Sequence, residues 1–443
     1  MARRSLHIAW FGPVPGESAG VSGVATELLE GLADRGHRID CFFPDSATKL
    51  PAQLYDNPNL KFVWSGTKWR WGRWYSRTPL RAFVTGLGYR AIGFARLRST
   101  ATRRHTEDPY DLVYQFSNIE TLGVPRRLAQ SVPLVIHPEC HSAGELRWLF
   151  AERRLGRHCQ PWYQMALVAA VFVARTVVQR VTIQQASLLI CISGIFRDHL
   201  VSDYRFPRSA TLVVPNPVGL ERFGELKTGL GQPPTAVVIG RISVRKGVEQ
   251  IVALSHLLKE RGVEVRLRIV GSHSQWSDYR PLLHGLEPTN TTYVGPLAAE
   301  DVPSELKSCD MLIQASKYEP FGLTVAEALA AGVPVIATPE VGAIEGASDL
   351  SIVQTPVGDP EALASAVATM LERLRANAQG VRRTARADAD RLFSQEIVCQ
   401  RISDALEGLV ASNQECGRFV SAHRRAYGAT RLFRRRPQRE SSR

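Results

Sequence analysis

Residues 316–337 read Ser316-Lys-Tyr-Glu319-Pro-Phe-Gly-Leu-Thr-Val-Ala-Glu327-Ala-Leu-Ala-Ala-Gly-Val-Pro-Val-Ile-Ala. The apolar run 311–315 before them predicts a buried strand, the first proline suits the edge of a helix, and residues 333–337 predict the next strand. This is one βαβ unit with its ligand-binding end exposed. Side chains lean toward a helix N-terminus, so Glu327 can reach back toward whatever the first amides of the helix hold. Those amides favour an anion.

A second motif, Gly240-Arg241-Ile-Ser-Val-Arg-Lys246-Gly, follows the predicted strand 236–239. It places cations at the carboxyl end of a parallel strand, where open α/β sheets bind ligands. Arg241 can donate a planar fork to one pair of phosphate oxygens, and Lys246 can act as a point charge on another. The motif predicts a phosphate site, with solvated surface bases as the alternative.

Length and composition predict a globular protein of two or three domains, since 443 residues with 44% apolar content can fill conventional cores. The longest candidate for a membrane span, residues 165–174, is stopped by Arg175, so no transmembrane helix is expected. Residues 6–11 are interpreted as the first strand and not as a signal peptide. The seven cysteines lack the spacing of metal ligands and indicate a reducing cytoplasm.

The net charge of +13 is concentrated in two segments. Residues 68–104 carry ten basic residues and no acid, and residues 417–443 carry nine arginines against one glutamate. The remaining body is therefore mildly acidic. The arginine-rich tail is predicted to be flexible and to assist membrane contact or solubility.

Apolar runs alternate with helical segments in both halves, which predicts an α/β protein with two doubly wound parallel sheets. A proline-rich stretch after residue 214 predicts a linker. The predicted strands are 6–11, 38–43, 60–64, 111–115, 133–136 and 188–192, then 236–239, 265–270, 291–294, 311–315 and 333–337. The predicted domains are 1–214, with a basic aromatic insertion at about 66–106, and 215–393, followed by a returning helix at 394–416 and a tail at 417–443.

Taken together, these residues resemble the retaining, nucleotide-sugar-dependent glycosyltransferases of family 4. That resemblance implies the GT-B fold, in which two Rossmann-like domains face each other across a cleft and C-terminal helices pack back toward the N-terminal domain. It covers residues 6–410 and is strongest over 214–337. The matching pieces are the two glutamates eight positions apart, the Gly240-Arg241 and Lys246-Gly247 pairs, Ile269-Val-Gly271, Tyr293-Val-Gly295 and Ala315-Ser316.

The resemblance implies that Arg241 and Lys246 bind the donor diphosphate, that Glu327 holds the ribose hydroxyls, and that Glu319 contacts the donor sugar. Phe321, Gly322 and Leu323 would offer backbone amides, and Val294 and Gly295 would line the base pocket. Only the second glycine of the family's usual pair, Gly20, is present in the first loop. The catalytic candidates are thus Glu319, His141, Arg241 and Lys246, and the donor-binding candidates are Gly20, Gly240, Arg241, Lys246, Gly271, Val294, Gly295, Glu319, Phe321, Gly322, Leu323 and Glu327.

The run His137-Pro-Glu139-Cys-His141 follows a predicted strand, where the family has a histidine that contacts the donor sugar. Counting residues along the motif places Glu139 at the position of the family's histidine. A loop insertion can shift either neighbouring histidine into that position, and His141 is preferred over His137. Ser193 and Asn216 match further family positions near the cleft. Helix capping and a turn are the alternative roles of these two residues.

Aromatic and basic residues interleave in the run Trp69, Arg70, Trp71, Arg73 and Trp74. Such a surface suits the interface of an anionic membrane, which predicts a cytoplasmic protein held peripherally on the inner membrane face. Single-stranded nucleic acid is the other partner that such a composition can serve, and a helical hairpin whose arginines pair with the acidic body is a further alternative. No nucleic-acid-binding motif appears, so a nucleic-acid partner is not expected.

The predicted function is metal-independent transfer of a hexose-type sugar, with retention, from a nucleotide diphosphate to a lipid-linked, glycan or small-molecule acceptor. No cofactor or metal is expected, because cations and a helix N-terminus can stabilise the leaving diphosphate. A retaining glycosidase needs two carboxyls about 5 Å apart. It is disfavoured, because eight residues along a helical approach separate Glu319 and Glu327 by roughly 10 Å or more. The alternatives are a GT-B epimerase or phosphorylase and a non-catalytic membrane- or nucleic-acid-binding protein.

Overall fold

The computed structural model describes residues 4–16, 20–45, 47–67, 79–117, 124–159, 161–273 and 278–415. Two all-parallel sheets organise these residues, one of seven strands and one of six. Helices connect successive strands and cover the sheets. The predicted α/β class with two doubly wound sheets is confirmed.

The first sheet is built from strands whose residues are mostly buried, as expected for parallel strands covered on both faces. Its strands are β1 (His7–Phe11), β2 (Arg38–Phe43), β3 (Leu60–Trp64), β4 (Leu112–Phe116), β5 (Leu134–His137), β6 (Leu188–Cys191) and β7 (Thr211–Val213). The spatial order is β3-β2-β1-β4-β5-β6-β7. The strand order reverses between β1 and β4, which opens a crevice at their carboxyl ends.

The second sheet repeats this design. Its strands are β8 (Thr235–Ile239), β9 (Arg266–Val270), β10 (Thr291–Gly295), β11 (Met311–Gln314), β12 (Val335–Ala337) and β13 (Ile352–Gln354). The spatial order is β10-β9-β8-β11-β12-β13, so the reversal falls between β8 and β11. The two predicted motifs, around Arg241 and Glu319, follow these two strands.

The α-helices pack their apolar faces on the sheets in three buried clusters. The helices are α1 (Val21–Ala33), α2 (Ala52–Tyr55), α3 (Pro79–Glu107), α4 (Arg126–Ser131), α5 (Ser142–Ala151), α6 (Arg153–Cys159), α7 (Trp162–Ile183), α8 (Gly194–Tyr204), α9 (Val248–Glu260), α10 (Val302–Ser308), α11 (Leu323–Ala330), α12 (Pro360–Phe393) and α13 (Gln395–Glu415).

The last helix returns to the first sheet, as the resemblance implied, whereas α12 packs on α9 and α11 of the second half. The long helix α12 is kinked at Asn377, where φ is −158° and ψ is 73°. Helix α13 then packs on α1, and its apolar side chains join the buried cluster of Trp10 and Leu28. Gln395 also donates a hydrogen bond of 3.0 Å to the Glu27 carbonyl. The chain therefore ties the two sheets together a second time, beyond the linker.

Two details of the fold differ from the sequence-based expectation. Strands β7 and β13 were not predicted, because each is a three-residue edge strand with little apolar pattern of its own. The apolar run 165–174, which Arg175 was expected to limit as a membrane span, lies in a helix, α7, that continues past Arg175 to Ile183. With 22 residues and a mean hydropathy of 1.6, it is the one helix among the described residues that is long and apolar enough to cross a membrane by length and composition.

Candidate active site

The segment from β11 to α11 holds the two predicted glutamates on a rigid support. Gly322 precedes α11 with φ of 98°, a left-handed conformation that glycine adopts without strain. The Glu319 amide donates to the Glu340 carbonyl at 3.0 Å, so the loop before the helix is tied to the chain after β12. Phe321 is buried beneath it. Glu319 thus lies in the loop before the helix, and Glu327 lies within α11 itself.

Glu319 points at the cationic motif that follows β8. Lys246 Nζ donates a hydrogen bond to Glu319 Oε2, and Arg245 Nη1 lies 3.6 Å from the same oxygen. Burial alone would raise the pKa of the Glu319 carboxyl, but the charges of Lys246 and Arg245 outweigh it and hold the pKa below its ordinary value. Glu319 is therefore an ionised carboxylate within a buried cationic cluster.

Arg245 is a site residue that the sequence analysis missed. Its side chain is 10% exposed and donates a 2.6 Å hydrogen bond to the Tyr318 carbonyl. Its Nη2 also lies 3.6 Å from Glu145 on α5, across the cleft. Arg245 directly precedes Lys246 in the sequence, and no sequence pattern distinguishes this buried arginine from an arginine on the surface.

Arg241 is exposed and lies where both sheets meet. It lines a space of 20 Å³ together with Gly240 and Lys246. It also lines a second space of 60 Å³, whose other walls include Arg245 and residues of α5 and α7. The guanidinium is therefore free to meet a ligand that enters from the cleft.

Three predicted donor-binding glycines lie side by side at the carboxyl ends of β8, β9 and β10. The Gly240 amide donates to the Val270 carbonyl at 3.0 Å, and the Gly271 amide donates to the Gly295 carbonyl at 2.8 Å. A Cβ on Gly271 would stand 1.8 Å from the Gly240 carbonyl oxygen, so a side chain cannot be accommodated there. Val294 is half-buried beside them. The three glycines leave bare backbone at this edge.

Glu327 faces a separate cavity of 290 Å³ beneath the first loop. Gly20 lines the same cavity, as do Leu323 of α11 and Glu27 of α1. Burial raises the pKa of Glu327 to about 7, with Arg222 opposing the shift. Burial and the neighbouring Glu221 raise the pKa of Glu27 to about 7 as well. Carboxyl groups in such a cavity are suited to accept hydrogen bonds from ligand hydroxyls.

His141 is fully buried and bridges the two sheets. Its Nδ1 lies 2.9 Å from the Tyr318 hydroxyl, and its Nε2 lies 2.9 Å from Asp203. Burial lowers the pKa of His141, although Asp203 opposes the shift. Both ring nitrogens therefore contact protein side chains. One of these side chains belongs to Tyr318, which directly precedes Glu319.

His137 ends β5 and is also fully buried. Its Nδ1 lies 2.8 Å from the Tyr114 hydroxyl, and its Nε2 lies 3.6 Å from Glu139. Burial lowers the pKa of His137 to about 3 and raises that of Glu139 to about 7. Asn216 donates a 2.7 Å hydrogen bond to the Glu139 carboxyl, so the predicted linker residue is joined to this cluster.

Ser193 acts both as a helix cap and as a contact to the Glu319 loop. Its hydroxyl accepts from the Phe196 amide at 3.1 Å and donates to the Pro320 carbonyl at 2.7 Å. The capping role is the alternative that the sequence offered, and the second contact comes only from the tertiary structure.

Two further predictions concern metal and membrane contact. Within the part of the chain that the structure describes, no group of three or more His, Cys, Asp or Glu side chains could hold a metal ion. The predicted membrane-contact residues Trp69, Arg70, Trp71, Arg73 and Trp74 lie outside the described residues, as does the arginine-rich tail.

Two parallel sheets with cations and carboxylates at their facing carboxyl ends define a GT-B type glycosyltransferase. Family models match both halves of the chain, Glycosyltransferase Family 4 over residues 18–222 and Glycosyl transferases group 1 over residues 227–386. The chain belongs to this family of glycosyltransferases.

Curated relatives are similar at low identity. A mannosylfructose-phosphate synthase of Agrobacterium fabrum is 26% identical over 174 residues, and an alpha-monoglucosyldiacylglycerol synthase of Streptococcus pneumoniae is 32% identical over 164 residues. The first match covers 35% of this chain and 38% of the relative, and the second covers 34% of this chain and 36% of the relative. Each match therefore spans little more than a third of either protein. A D-inositol 3-phosphate glycosyltransferase of Kineococcus radiotolerans is 24% identical, and the match covers 85% of this chain and 88% of that protein.

Solved structures share the fold over most of the chain. Sucrose-phosphate synthase from Thermosynechococcus elongatus superposes with a TM-score of 0.66 at 19% identity, covering 92% of this chain and 100% of the other. Anabaena HepE in complex with UDP and glucose gives a TM-score of 0.61 at 18% identity, covering 91% and 99%. At these identities the similarity concerns the fold alone.

Proposed function

We propose that the protein transfers a hexose-type sugar from a nucleotide diphosphate donor, with retention of configuration and without a metal ion. The observation that carries the proposal is the buried cluster of Lys246, Arg245 and Glu319 at the carboxyl ends of β8 and β11. It supplies positive charge for a leaving diphosphate beside a carboxylate that can face a developing positive centre. Among the structural relatives, HepE is described as a complex with UDP and glucose, which supports a donor of this class.

The donor is proposed to lie across the cleft, with its diphosphate on Arg241 and Lys246 and on the amides at the start of α11. These groups combine fixed charge with a helix N-terminus, which together favour phosphate. The ribose hydroxyls would be accepted by Glu327, whose carboxyl faces the 290 Å³ cavity. The bare backbone of Gly240, Gly271 and Gly295 leaves room for a flat base.

Glu319 is proposed to stabilise the oxocarbenium-like transition state through its negative charge. Lys246 and Arg245 keep the Glu319 carboxyl ionised, so its negative charge does not change with pH near neutrality. As the bond from the anomeric carbon to the phosphate oxygen breaks, the electron pair moves to the diphosphate, where the cations hold it. The acceptor hydroxyl attacks from the same face and passes its proton to the departing phosphate oxygen.

The acceptor is proposed to be lipid-linked, a glycan or a small molecule, bound against the domain of the first sheet. The name of the Streptococcus relative includes a diacylglycerol, which supports a lipid acceptor as one member of this set. A peripheral position on the cytoplasmic membrane face, with contact through Trp69, Arg70, Trp71, Arg73 and Trp74, is proposed as well. This composition combines aromatic rings with cations.

The proposal is tested first with the Lys246→Ala variant. After a thermal-shift screen of nucleotide sugars has identified the donor, we expect the variant to lose at least about a hundredfold in transfer, the usual cost of removing one group that stabilises transition-state charge. Transfer is measured as acceptor-dependent release of nucleoside diphosphate.

Lys61→Ala is the matched control, because Lys61 is an exposed residue of β3, an edge strand of the first sheet. It should keep full activity. Undiminished transfer by Lys246→Ala would overturn the diphosphate role. Turnover of the nucleotide sugar without any acceptor would instead indicate an epimerase or a hydrolase.

A further inference from the structure

Helix α7 carries an apolar face that points away from the protein. Its buried side chains, Val168, Phe172, Gln179 and Ile183, form a narrow inner stripe. The opposite side is open to solvent, and Leu167, Val173 and Val177 are 56%, 48% and 58% exposed. The exposed apolar side chains follow the helical period and are Tyr163, Ala166, Leu167, Ala170, Val173, Ala174, Val177, Val178 and Val181.

The apolar face is continuous over the length of the helix. From Tyr163 to Val181 it extends for about 27 Å, at about 1.5 Å per residue. Arg175 does not interrupt it, because its guanidinium is turned back over the Phe172 ring at 5.9 Å from the centroid. An exposed apolar surface of this length on a protein marks a contact with a partner or a membrane.

Charge around the face identifies the partner. Residues 153–183 contain no aspartate or glutamate. Arg180 on α7 and both Arg153 and Arg154 on the adjoining α6 are exposed. Trp162, at the N-terminal end of α7, is 73% exposed, and an indole suits the depth of lipid headgroups. We propose that the outer face of α7 lies on an anionic lipid bilayer, parallel to its surface.

A second copy of the chain fits this surface less well. Pairing the same face about a two-fold axis brings the arginines of both copies into one interface without any acid from residues 153–183 to neutralise them. Anionic headgroups supply that neutralisation. The apolar side chains between the arginines then meet the acyl boundary, as in interfacial helices.

The helix also connects this surface to the cleft. Val168 and Phe172, on the inner stripe, line the space that Arg241 and Arg245 share with α5. Gln179 anchors the helix in the fold, because its side-chain oxygen accepts from the Ser142 amide and from the Tyr204 hydroxyl. The docked face and the wall of the cleft therefore belong to one rigid element. The proposed surface consists of residues of α7 and does not include residues 69–74.

The test uses flotation of the full chain with vesicles of phosphatidylcholine and phosphatidylglycerol in equal parts. The variant Leu167→Glu, Val173→Glu, Val177→Glu should reduce the bound fraction at least about tenfold, since charged side chains oppose burial in the interface. The variant with serine at the same three positions keeps the net charge and should also bind less. Vesicles of phosphatidylcholine alone should bind the wild-type chain more weakly.

The matched control carries glutamate at Leu350, Val357 and Ile397, which are exposed apolar residues of the other half of the chain with the same change in charge. It should retain binding within about twofold. Equal loss in both glutamate variants, or full binding by the serine variant, would overturn the proposal. A wild-type dimer that only the α7 substitutions dissociate would assign the face to a second copy instead. A thermal shift on donor addition, measured separately, tests the donor site and does not affect the flotation result.

Discussion

The pKa values of three buried glutamates of the cleft are shifted in different directions. Glu319, Glu327 and Glu139 are all buried, and burial by itself raises the pKa of each carboxyl. Only Glu319 has two cations within reach, and they reverse the direction of the shift. The same residue type is thus an ionised electrostatic group at one position and a readily protonated hydrogen-bonding group at the other two.

Glu139 should make the stability of the protein depend on pH. Its pKa is raised from 4.5 to about 7, so the folded state holds the proton more tightly than the unfolded state. Stability therefore falls as the pH rises from about 4.5 to about 7, and the loss persists at higher pH. Glu139→Gln keeps the oxygen that accepts from Asn216 and should remove this loss, gaining on the order of 2 kcal/mol relative to wild type at pH 8.

The measurement is urea unfolding of both proteins at pH 5 and pH 8. The stability difference between them should be larger at pH 8 than at pH 5. Glu264→Gln, at an exposed position, serves as the control and should show no such change. A difference of equal size at the two pH values would mean that the Glu139 carboxyl titrates as an ordinary glutamate.

At the scale of elements, the short helix α11 depends on the backbone conformation of Gly322. A Cβ at this position would lie 3.1 Å from Val341 Cγ1 and 3.3 Å from Glu319 Cγ. The contact with Glu319 means that a substitution disturbs the carboxylate as well as the helix start. The backbone conformation at Gly322 and the position of the Glu319 carboxylate are therefore coupled.

We expect Gly322→Ala to destabilise the protein by about 1–2 kcal/mol, the cost of a left-handed residue with a Cβ. It should also lower kcat at least about tenfold, because a small displacement of a catalytic group is costly. Gly262→Ala is the control, since Gly262 has φ of 62° and open space around its Cβ position. It should lose similar stability but keep its kcat, and a matching loss of kcat would contradict the coupling.

At the scale of the whole molecule, side-chain contacts hold the two halves of the protein together. Glu345 accepts hydrogen bonds from the Gly194 and Ile195 amides at 2.7 and 2.9 Å, at the N-terminus of α8. Ser193 and His141 make their contacts with the Glu319 loop beside it. A carboxylate at a helix N-terminus is favoured both by the free amides and by the helix dipole. These contacts link α8 directly to the donor-binding half.

Glu345→Ala should loosen this arrangement without unfolding either half. We expect a larger radius of gyration in small-angle scattering and a higher KM for the donor, by roughly threefold to tenfold, the scale of about 1 kcal/mol for such a contact. Glu264→Ala, at an exposed position of the same half, should change neither quantity. An unaltered scattering profile together with an unaltered KM would show that Glu345 does not hold the two halves together.

The return of the last helix was implied by the family resemblance, whereas the alternation of buried strands and helices, and with it both sheets, was predicted from the residues. This was possible because apolar period, glycine and proline are local signals that survive without tertiary context. The edge strands β7 and β13 were not predicted, because three residues are too few to show an apolar pattern. The candidate membrane span was limited to residues 165–174 because Arg175 interrupts the apolar run, whereas in the structure the Arg175 side chain lies over the Phe172 ring and α7 continues to Ile183.

By itself the sequence determined which residues are candidates for the site, because the spacing of Glu319 and Glu327 and the cations after β8 follow from local motifs. Only the tertiary structure decided their partners. It brought Arg245 next to Glu319, placed Glu327 at a cavity beside Gly20, and buried His137 and His141 with their Nδ1 atoms within hydrogen-bonding distance of Tyr114 and Tyr318. Burial, charge pairing and the outward apolar face of α7 depend on residues far apart in the chain, and their meeting is a property of packing, which no local pattern encodes.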